Sequence, residues 1–156
     1  MGSGFPLSGV IASKKIFNNK SIFGLSSTHS ANPIACAAGI ATIDIINKKK
    51  LVSNSMKQGK ILHKNLSEIV LRFNKILNAS LGHGLIASLI FKNYKKFSGK
   101  YFADKVSQKC LEKGLLVCNT GRESIKLGPP LTMTDAALLE GISVIKESIS
   151  EIISND

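Results

Sequence analysis

NPIACAAGIATIDII, at residues 32–46, predicts a helix and the position where it begins. Asn32 is a favourable N-cap and Pro33 suits the first position of a helix, so this pair predicts where a helix begins. The residues that follow, as far as Ile46, are apolar on almost every face of that helix. A helix that is apolar all round is buried inside something larger than itself, and we therefore predict a long buried helix.

The rest of the chain alternates between segments typical of helices and segments typical of strands. Helices are predicted at residues 54–76, at residues 100–113 and from Thr134 onward. Short strands are predicted at residues 7–12, 85–91, 115–118 and 124–127. This order predicts an α/β chain in which helices cover a small sheet.

Charge and composition restrict the class of protein. The 156 residues carry a net charge of +11, and 44% of them are apolar, which is ordinary for a globular protein. Nucleic-acid binding is an alternative that fits a basic chain. The lysines are scattered among other residues, however, so we expect no nucleic-acid partner. No run reaches the roughly 18 apolar residues of a membrane span, so we expect no membrane partner. The three cysteines lack C-x-x-C spacing and indicate reduced thiols in a cytoplasmic protein.

Gly82-His83-Gly84 opens a stretch that matches the G-x-G-x-x-[GA] pattern of dinucleotide-binding sites. That pattern requires a helix after the glycines, whereas Leu85–Phe91 alternates like a strand. A turn that leads into a strand is therefore the favoured interpretation. The three histidines are too far apart in sequence for a metal motif, and no metal site is predicted.

Two segments have the composition of anion-binding sites. Ser26-Ser27-Thr28 lies before the N-terminus of the predicted helix, where hydroxyl and backbone N–H groups bind phosphate well. A hydroxyl-rich capping loop is the alternative interpretation. In the second segment, Arg122 and Lys126 are spaced to hold a carboxylate, and the alternative is a solvated charge pair with Glu123.

Three motifs, in this order along the chain, resemble the class III aminotransferases, which depend on pyridoxal 5′-phosphate (PLP). They are GSGFPLSGV at residues 2–10, STHSANPIACAA at residues 27–38 and IKLGPPLT at residues 125–132. Their order and spacing agree with that family along nearly the whole chain. The resemblance implies the C-terminal part of a fold type I PLP enzyme. Residues 1–50 would form the tail of the large PLP-binding domain, and residues 51–156 a small α/β domain.

The resemblance also implies roles for particular residues. Ser27 and Thr28 match the cofactor-binding segment, in which the threonine reaches the PLP phosphate of the neighbouring subunit in a homodimer. Arg122 and Lys126 would bind the carboxylate of the substrate. The parent reaction would transfer an amino group from an amino donor to a keto acid such as pyruvate or 2-oxoglutarate. An aminomutase of the glutamate-1-semialdehyde type and a non-enzymatic remnant stay open as alternatives.

Two departures from the family pattern affect these expectations. In this family, the lysine that bonds covalently to PLP lies just before the Gly-rich turn. In this chain, the position of that lysine falls upstream of Met1. We therefore assign no catalytic residue within the chain and expect the chain to be inactive on its own. Lys126 also stands where relatives that bind an α-carboxylate carry arginine, and it offers a single point charge in place of a two-pronged fork.

Overall fold

A computed structural model of the chain describes residues 1–18 and 28–154. The helices are α1 (Lys14–Phe17), α2 (Pro33–Lys48), α3 (Leu51–Arg72), α4 (Gly99–Glu112) and α5 (Asp135–Ser154). The strands are β1 (Leu77–His83), β2 (Ile86–Phe91), β3 (Cys118–Asn119) and β4 (Ser124–Leu127). The chain divides into two compact units, Met1–Leu51 and Val52–Asp156, which we call unit 1 and unit 2.

Helix α2 is the main element of unit 1, and its predicted start is confirmed. The Asn32 side chain accepts hydrogen bonds from the backbone N–H groups of Ile34 and Ala35, at 3.0 and 3.3 Å. The expected burial of this helix is not found, because only Ala35 and Gly39 of its residues are buried. Ile34 and Ile40 are each 65% exposed. The described part of unit 1 contains no second helix of comparable length that could cover those apolar faces.

The N-terminal segment of unit 1 forms a tight turn and then an extended loop. Phe5 donates its backbone N–H to the carbonyl of Gly2 at 3.1 Å, and Ser3 and Gly4 take the positive φ angles of 47° and 107°. The predicted strand at residues 7–12 is wrong, because these residues form no strand. A strand needs a neighbour for its backbone groups, and the described residues of unit 1 offer none.

Unit 2 is built on a four-stranded antiparallel sheet of order β1-β2-β4-β3. The predicted strand at 124–127 is confirmed in full, and that at 85–91 is confirmed as β2. β1 was not predicted as a strand, and α3 ends at Arg72 rather than at residue 76. Only Cys118 of the strand predicted at residues 115–118 pairs with a neighbour, and β3 is therefore just two residues long.

One face of this sheet forms the core of unit 2 together with helices α3, α4 and α5. Alternate residues of β2 and β4, among them Leu89 and Ile125, are fully buried against the helices. The helices contribute apolar residues at the helical spacing: Leu62, Leu66, Ile69, Phe102, Val106, Cys110, Leu138, Ile142, Ile145 and Ile149. The core of unit 2 therefore contains residues from three helices and from both central strands.

The opposite face of the sheet is not covered by these helices, and we call it the open face. In an antiparallel sheet, residues directly opposite each other point to the same side. The register places Leu81, Ser88, Lys126 and Cys118 in one row across the four strands. Ile86, one row away, is 61% exposed. The open face is thus largely apolar with a lysine in the middle of its central row.

Candidate functional site

Unit 1 contains a groove of about 620 Å³ beside the N-terminus of α2. One wall is the loop Phe5–Ser8, which follows the Gly-rich turn. The other wall is the segment His29–Asn32 together with Ile34 and Ala35 of α2. A volume of this size lies within the range of small-molecule sites, roughly 300–1,000 Å³.

The chemistry of this groove suits a phosphate group. The N-terminus of α2 carries the positive end of the helix dipole, which favours an anion. Ser8 and Ser30 supply hydroxyl groups to the lining, and none of the lining residues is acidic. Ala31 adopts a positive φ of 56°, which turns the chain sharply into the capping residue Asn32. The donor set and the absence of acidic lining residues therefore fit the phosphate end of PLP.

The predicted phosphate-binding residues are only partly described by the structure. Ser27 lies outside the described residues. Thr28 is an exposed residue of the turn that leads to Asn32, and its neighbour His29 lines the groove. Thr28 is therefore placed beside the groove, next to one of its lining residues.

The loop Phe5–Ser8 was not predicted as part of this site. It is fixed by the preceding turn, in which the Ser3 hydroxyl lies 3.1 Å from the Thr42 hydroxyl of α2. The Leu7 side chain packs beside Gly39 of the same helix, where any larger residue would displace it. The signal available in the sequence was the presence of two family motifs, and only the three-dimensional fold brings them to one groove.

Lys126 lies on the open face of unit 2, and its side chain is exposed. Its strand neighbours in the register are Ser88 on β2 and Cys118 on β3. The Ser88 hydroxyl donates to the carbonyl of Ile125 at 3.0 Å, which ties β2 to β4 beside the lysine. Among the residues that the structure describes, Lys126 forms no salt bridge, so its charge faces solvent from a rigid strand.

Arg122 lies in the turn between β3 and β4 and is also exposed. Two side chains shape this turn. Asn119 accepts from the backbone N–H of Gly121 at 2.7 Å, and the Thr120 hydroxyl accepts from that of Arg122 at 3.3 Å. Asn119 in turn donates to the Asp104 carboxylate at 2.8 Å. The alternative of a charge pair between Arg122 and Glu123 finds no support in the described parts of the chain.

Hydrogen bonding also determines the charge state of Asp104. The pKa of its carboxyl lies below the usual range because Lys100 and Asn119 donate hydrogen bonds to the charged form. The hydrogen bond from Asn119 to this carboxylate anchors the Arg122 turn to α4.

The other candidate motifs carry no chemistry in this fold. Gly82 lies near the end of β1 and Gly84 in the β1–β2 turn, and a strand rather than a helix follows them, so the dinucleotide interpretation is wrong. Across residues 1–18 and 28–154, no group of three or more His, Cys, Asp or Glu side chains is placed to hold a metal ion. Burial raises the pKa of the Cys110 thiol, which makes it a poor nucleophile.

The loop Tyr94–Phe97 combines lysines with aromatic residues, as some nucleic-acid sites do. The Lys96 ammonium lies 5.3 Å from the centre of the Phe97 ring. That ring also stacks on Tyr101, with ring centres 4.3 Å apart. The Phe97 ring is therefore in contact with Lys96 and Tyr101 of the protein itself, and it is not free to stack on nucleic-acid bases.

No helix in the described segments combines the length and the apolar character that crossing a membrane requires.

Comparison with known proteins assigns the chain to one family. The family described as "Aminotransferase class-III" matches residues 1–149. The chain therefore belongs to the class III aminotransferases, whose members depend on PLP.

Individual relatives agree with this assignment. The chain is 31% identical over 154 residues to a 5-aminovalerate aminotransferase of Pseudomonas putida, covering 97% of this chain and 36% of the relative. It is 31% identical over 145 residues to an acetylornithine aminotransferase of Archaeoglobus fulgidus, covering 93% of this chain and 34% of the relative. It thus spans about a third of the length of these curated relatives.

Solved structures show the same fold. A transaminase from a directed-evolution study by ancestral reconstruction superimposes with a TM-score of 0.86 at 25% identity, covering 98% of this chain and 36% of that structure. The acetylornithine aminotransferase from Elizabethkingia anophelis superimposes with a TM-score of 0.73 at 27% identity, covering 81% of this chain and 30% of that structure. These likenesses support the predicted α/β fold of a fold type I PLP enzyme.

Proposed function

We propose that these residues form the C-terminal part of a PLP-dependent aminotransferase that transfers an amino group from an amino donor to a keto acid. Unit 1 would belong to the large cofactor-binding domain, and unit 2 would be the small domain. PLP, when bound, supplies the electron sink through which an amino group moves between carbon skeletons. No residue of 1–156 is assigned a covalent step.

The observation that carries this proposal is the groove in unit 1. The turn at Thr28, the capped N-terminus of α2 and the loop Phe5–Ser8 meet there. In the proposal, the Thr28 hydroxyl donates a hydrogen bond to a phosphate oxygen of PLP. The resemblance assigns this contact to the neighbouring subunit, and we therefore also propose a cytoplasmic homodimer as the working form.

The proposal gives Lys126 and Arg122 a separate task in unit 2. The exposed ammonium of Lys126 would bind the substrate carboxylate as a point charge, and Arg122 would offer a two-pronged alternative. The names of the relatives make 5-aminovalerate and acetylornithine the first amino donors to test, with 2-oxoglutarate as the acceptor. If the full-length parent, loaded with PLP, forms neither glutamate from 2-oxoglutarate nor alanine from pyruvate with any amino donor, amino transfer is not its reaction.

The phosphate contact has its own test in a matched pair of variants. Thr28→Val removes the hydroxyl and keeps the shape of the side chain, whereas Thr28→Ser keeps the hydroxyl. Because a hydrogen bond to a charged group contributes about 1.5–3 kcal/mol, Thr28→Val should weaken PLP binding roughly 10- to 100-fold. Titration of the apo protein with PLP measures this, and equal affinity in both variants would remove Thr28 from the phosphate site.

A further inference from the structure

The loop that follows Lys126 is rigid in itself. β4 ends at Leu127, and the chain continues through Gly128-Pro129-Pro130 to the start of α5. The two prolines fix their own φ angles. A backbone hydrogen bond of 2.9 Å from Met133 to Pro130 closes the loop. Residues 128–134 therefore form a block of restricted backbone freedom directly after the strand that carries the lysine.

Helix α3 holds this block from outside. The Asn54 side-chain amide donates to the carbonyl of Leu131 at 2.7 Å and to that of Met133 at 3.1 Å. One amide group thus bridges two carbonyls that lie 77 and 79 positions away in the chain. Asn54 is partly buried; its bond to Leu131 lies at an exposed position and its bond to Met133 at a partly buried one.

The next turn of α3 holds the other end of the loop. Gln58 donates to the Asp135 carboxylate at 2.6 Å, and Lys57 reaches the same carboxylate at 2.8 Å. Residues 54, 57 and 58 share one face of the helix because of their i, i+3 and i+4 spacing. Gln58 is only 1% exposed, and its carbonyl oxygen has no partner among the described residues. The amide nitrogen of Gln58 holds Asp135, whereas an apolar residue at this position could not.

We infer that Asn54 is a positioning residue for Lys126, acting through the loop at residues 128–134. β4 pairs with β2 on one side and with β3 on the other. Among the described residues, this pairing does not extend beyond Leu127. The clamp on the loop therefore fixes the open end of the strand. The register places the Lys126 backbone between Ser88 and Cys118, and the path of β4 at this end sets where the lysine charge can act. This inference rests on the proposed contact between Lys126 and the substrate carboxylate.

The experiment is a double-mutant cycle in the PLP-loaded full-length protein, with 2-oxoglutarate as the probe. Asn54→Asp keeps the shape of the side chain but turns an oxygen toward the two loop carbonyls. Asn65→Asp is the matched control, because the Asn65 amide bonds only to Ile61 within the same helix, at 2.9 Å. Calorimetry gives the dissociation constant, and steady-state kinetics separate KM from kcat.

We expect Asn54→Asp to raise the dissociation constant and the KM for 2-oxoglutarate about tenfold, since small misplacements of a binding group are costly. The kcat should change by less than about threefold, and Asn65→Asp should leave all of these values within about twofold. In the Lys126→Met background, Asn54→Asp should cause no further loss of affinity for 2-oxoglutarate. A residue that acts through the lysine has nothing left to position once the lysine is gone.

Three results would overturn the inference, and they are distinguishable. An unchanged dissociation constant in Asn54→Asp removes the positioning role. An equal loss with and without Lys126 assigns Asn54 a general structural role. An unchanged dissociation constant in Lys126→Met refutes the proposed carboxylate contact itself. Asn54→Ser, which removes the amide without adding charge, repeats the cycle should Asn54→Asp fail to fold.

Discussion

The close approach of the β1–β2 turn to α3 predicts that replacing one glycine destabilises the protein. A Cβ added at Gly59 would lie 2.7 Å from both the Cα and the carbonyl oxygen of Gly84. That is about 0.7 Å closer than ordinary contact, which begins at 3.4 Å. The obstructing atoms are backbone, and the turn is held in place by a 3.1 Å hydrogen bond between the His63 ring and the Gly84 carbonyl. The clash therefore cannot be relieved by a rotamer change.

Two opposing effects determine how much Gly59→Ala changes the free energy of unfolding. Alanine in a helix interior is favoured over glycine by about 0.5–1 kcal/mol. Overpacking a tight contact costs about 1–3 kcal/mol. Since the backbone must shift here, we expect the cost to dominate and the free energy of unfolding to fall by about 1–2 kcal/mol.

Gly141→Ala is the matched comparison. Gly141 lies in α5, and its added Cβ would meet only the Leu115 side chain at 3.5 Å, an ordinary contact. The same substitution should therefore stabilise the protein there by about 0.5–1 kcal/mol. Because the chain contains no tryptophan, urea unfolding is best followed by circular dichroism. A stabilising effect of Gly59→Ala similar to that of Gly141→Ala would refute the close approach of the turn.

Four further substitutions have definite expected outcomes. Asn32→Ala should destabilise α2 by about 1 kcal/mol because the helix loses its N-cap. Amide hydrogen exchange at residues 34 and 35 would measure this loss. Unchanged exchange would show that Asn32 does not cap the helix. Leu66→Ala should cost about 2–5 kcal/mol in urea unfolding because Leu66 is 0% exposed. Leu71 lies in the same helix and is 74% exposed, so Leu71→Ala should lower the free energy of unfolding far less. Equal losses in the two variants would contradict the assignment of Leu66 to the core. The pKa of Asp135 is lowered chiefly by a hydrogen bond from Lys57. The ionised Asp135 carboxylate therefore stabilises the fold at pH values above its unfolded pKa, near 3.9. This stabilisation is lost as the pH falls through the lower pKa of the folded state. The stability difference between the wild type and Asp135→Asn should therefore narrow below about pH 4, and a difference that stays constant to pH 2 would contradict the pairing.

Elements with a strong local signal were predictable from the sequence. The cap at Asn32, the helix from Pro33 and the strand Ser124–Leu127 have the expected positions. β1 was missed because its sequence, Leu77–His83, includes Asn, Ser and Gly, which have weak strand propensity. It forms a strand because it pairs with β2, and pairing is a tertiary interaction that no local pattern contains.

The candidate site divides in the same way. The sequence motif at residues 27–38 was sufficient to direct attention to Thr28, and the spacing of Arg122 and Lys126 was visible as a charge pattern. The groove itself was not predictable, because its second wall comes from Phe5–Ser8, more than twenty positions earlier. The clamp of Asn54 on the loop after β4 was likewise hidden, since it joins residues 77 positions apart.

The position of α5 in the chain affects how unit 2 folds during synthesis. The four strands leave the ribosome before Asp135–Ser154, although this helix supplies Leu138, Ile142, Ile145 and Ile149 to the core. At typical translation rates of about 5–20 residues per second, the segment that follows β4 takes roughly 1–5 seconds to appear. For that interval the sheet exists without one of its covering helices. Chaperones should therefore encounter the nascent chain mainly in this window, and slower translation of the final helix should lower the yield of folded protein.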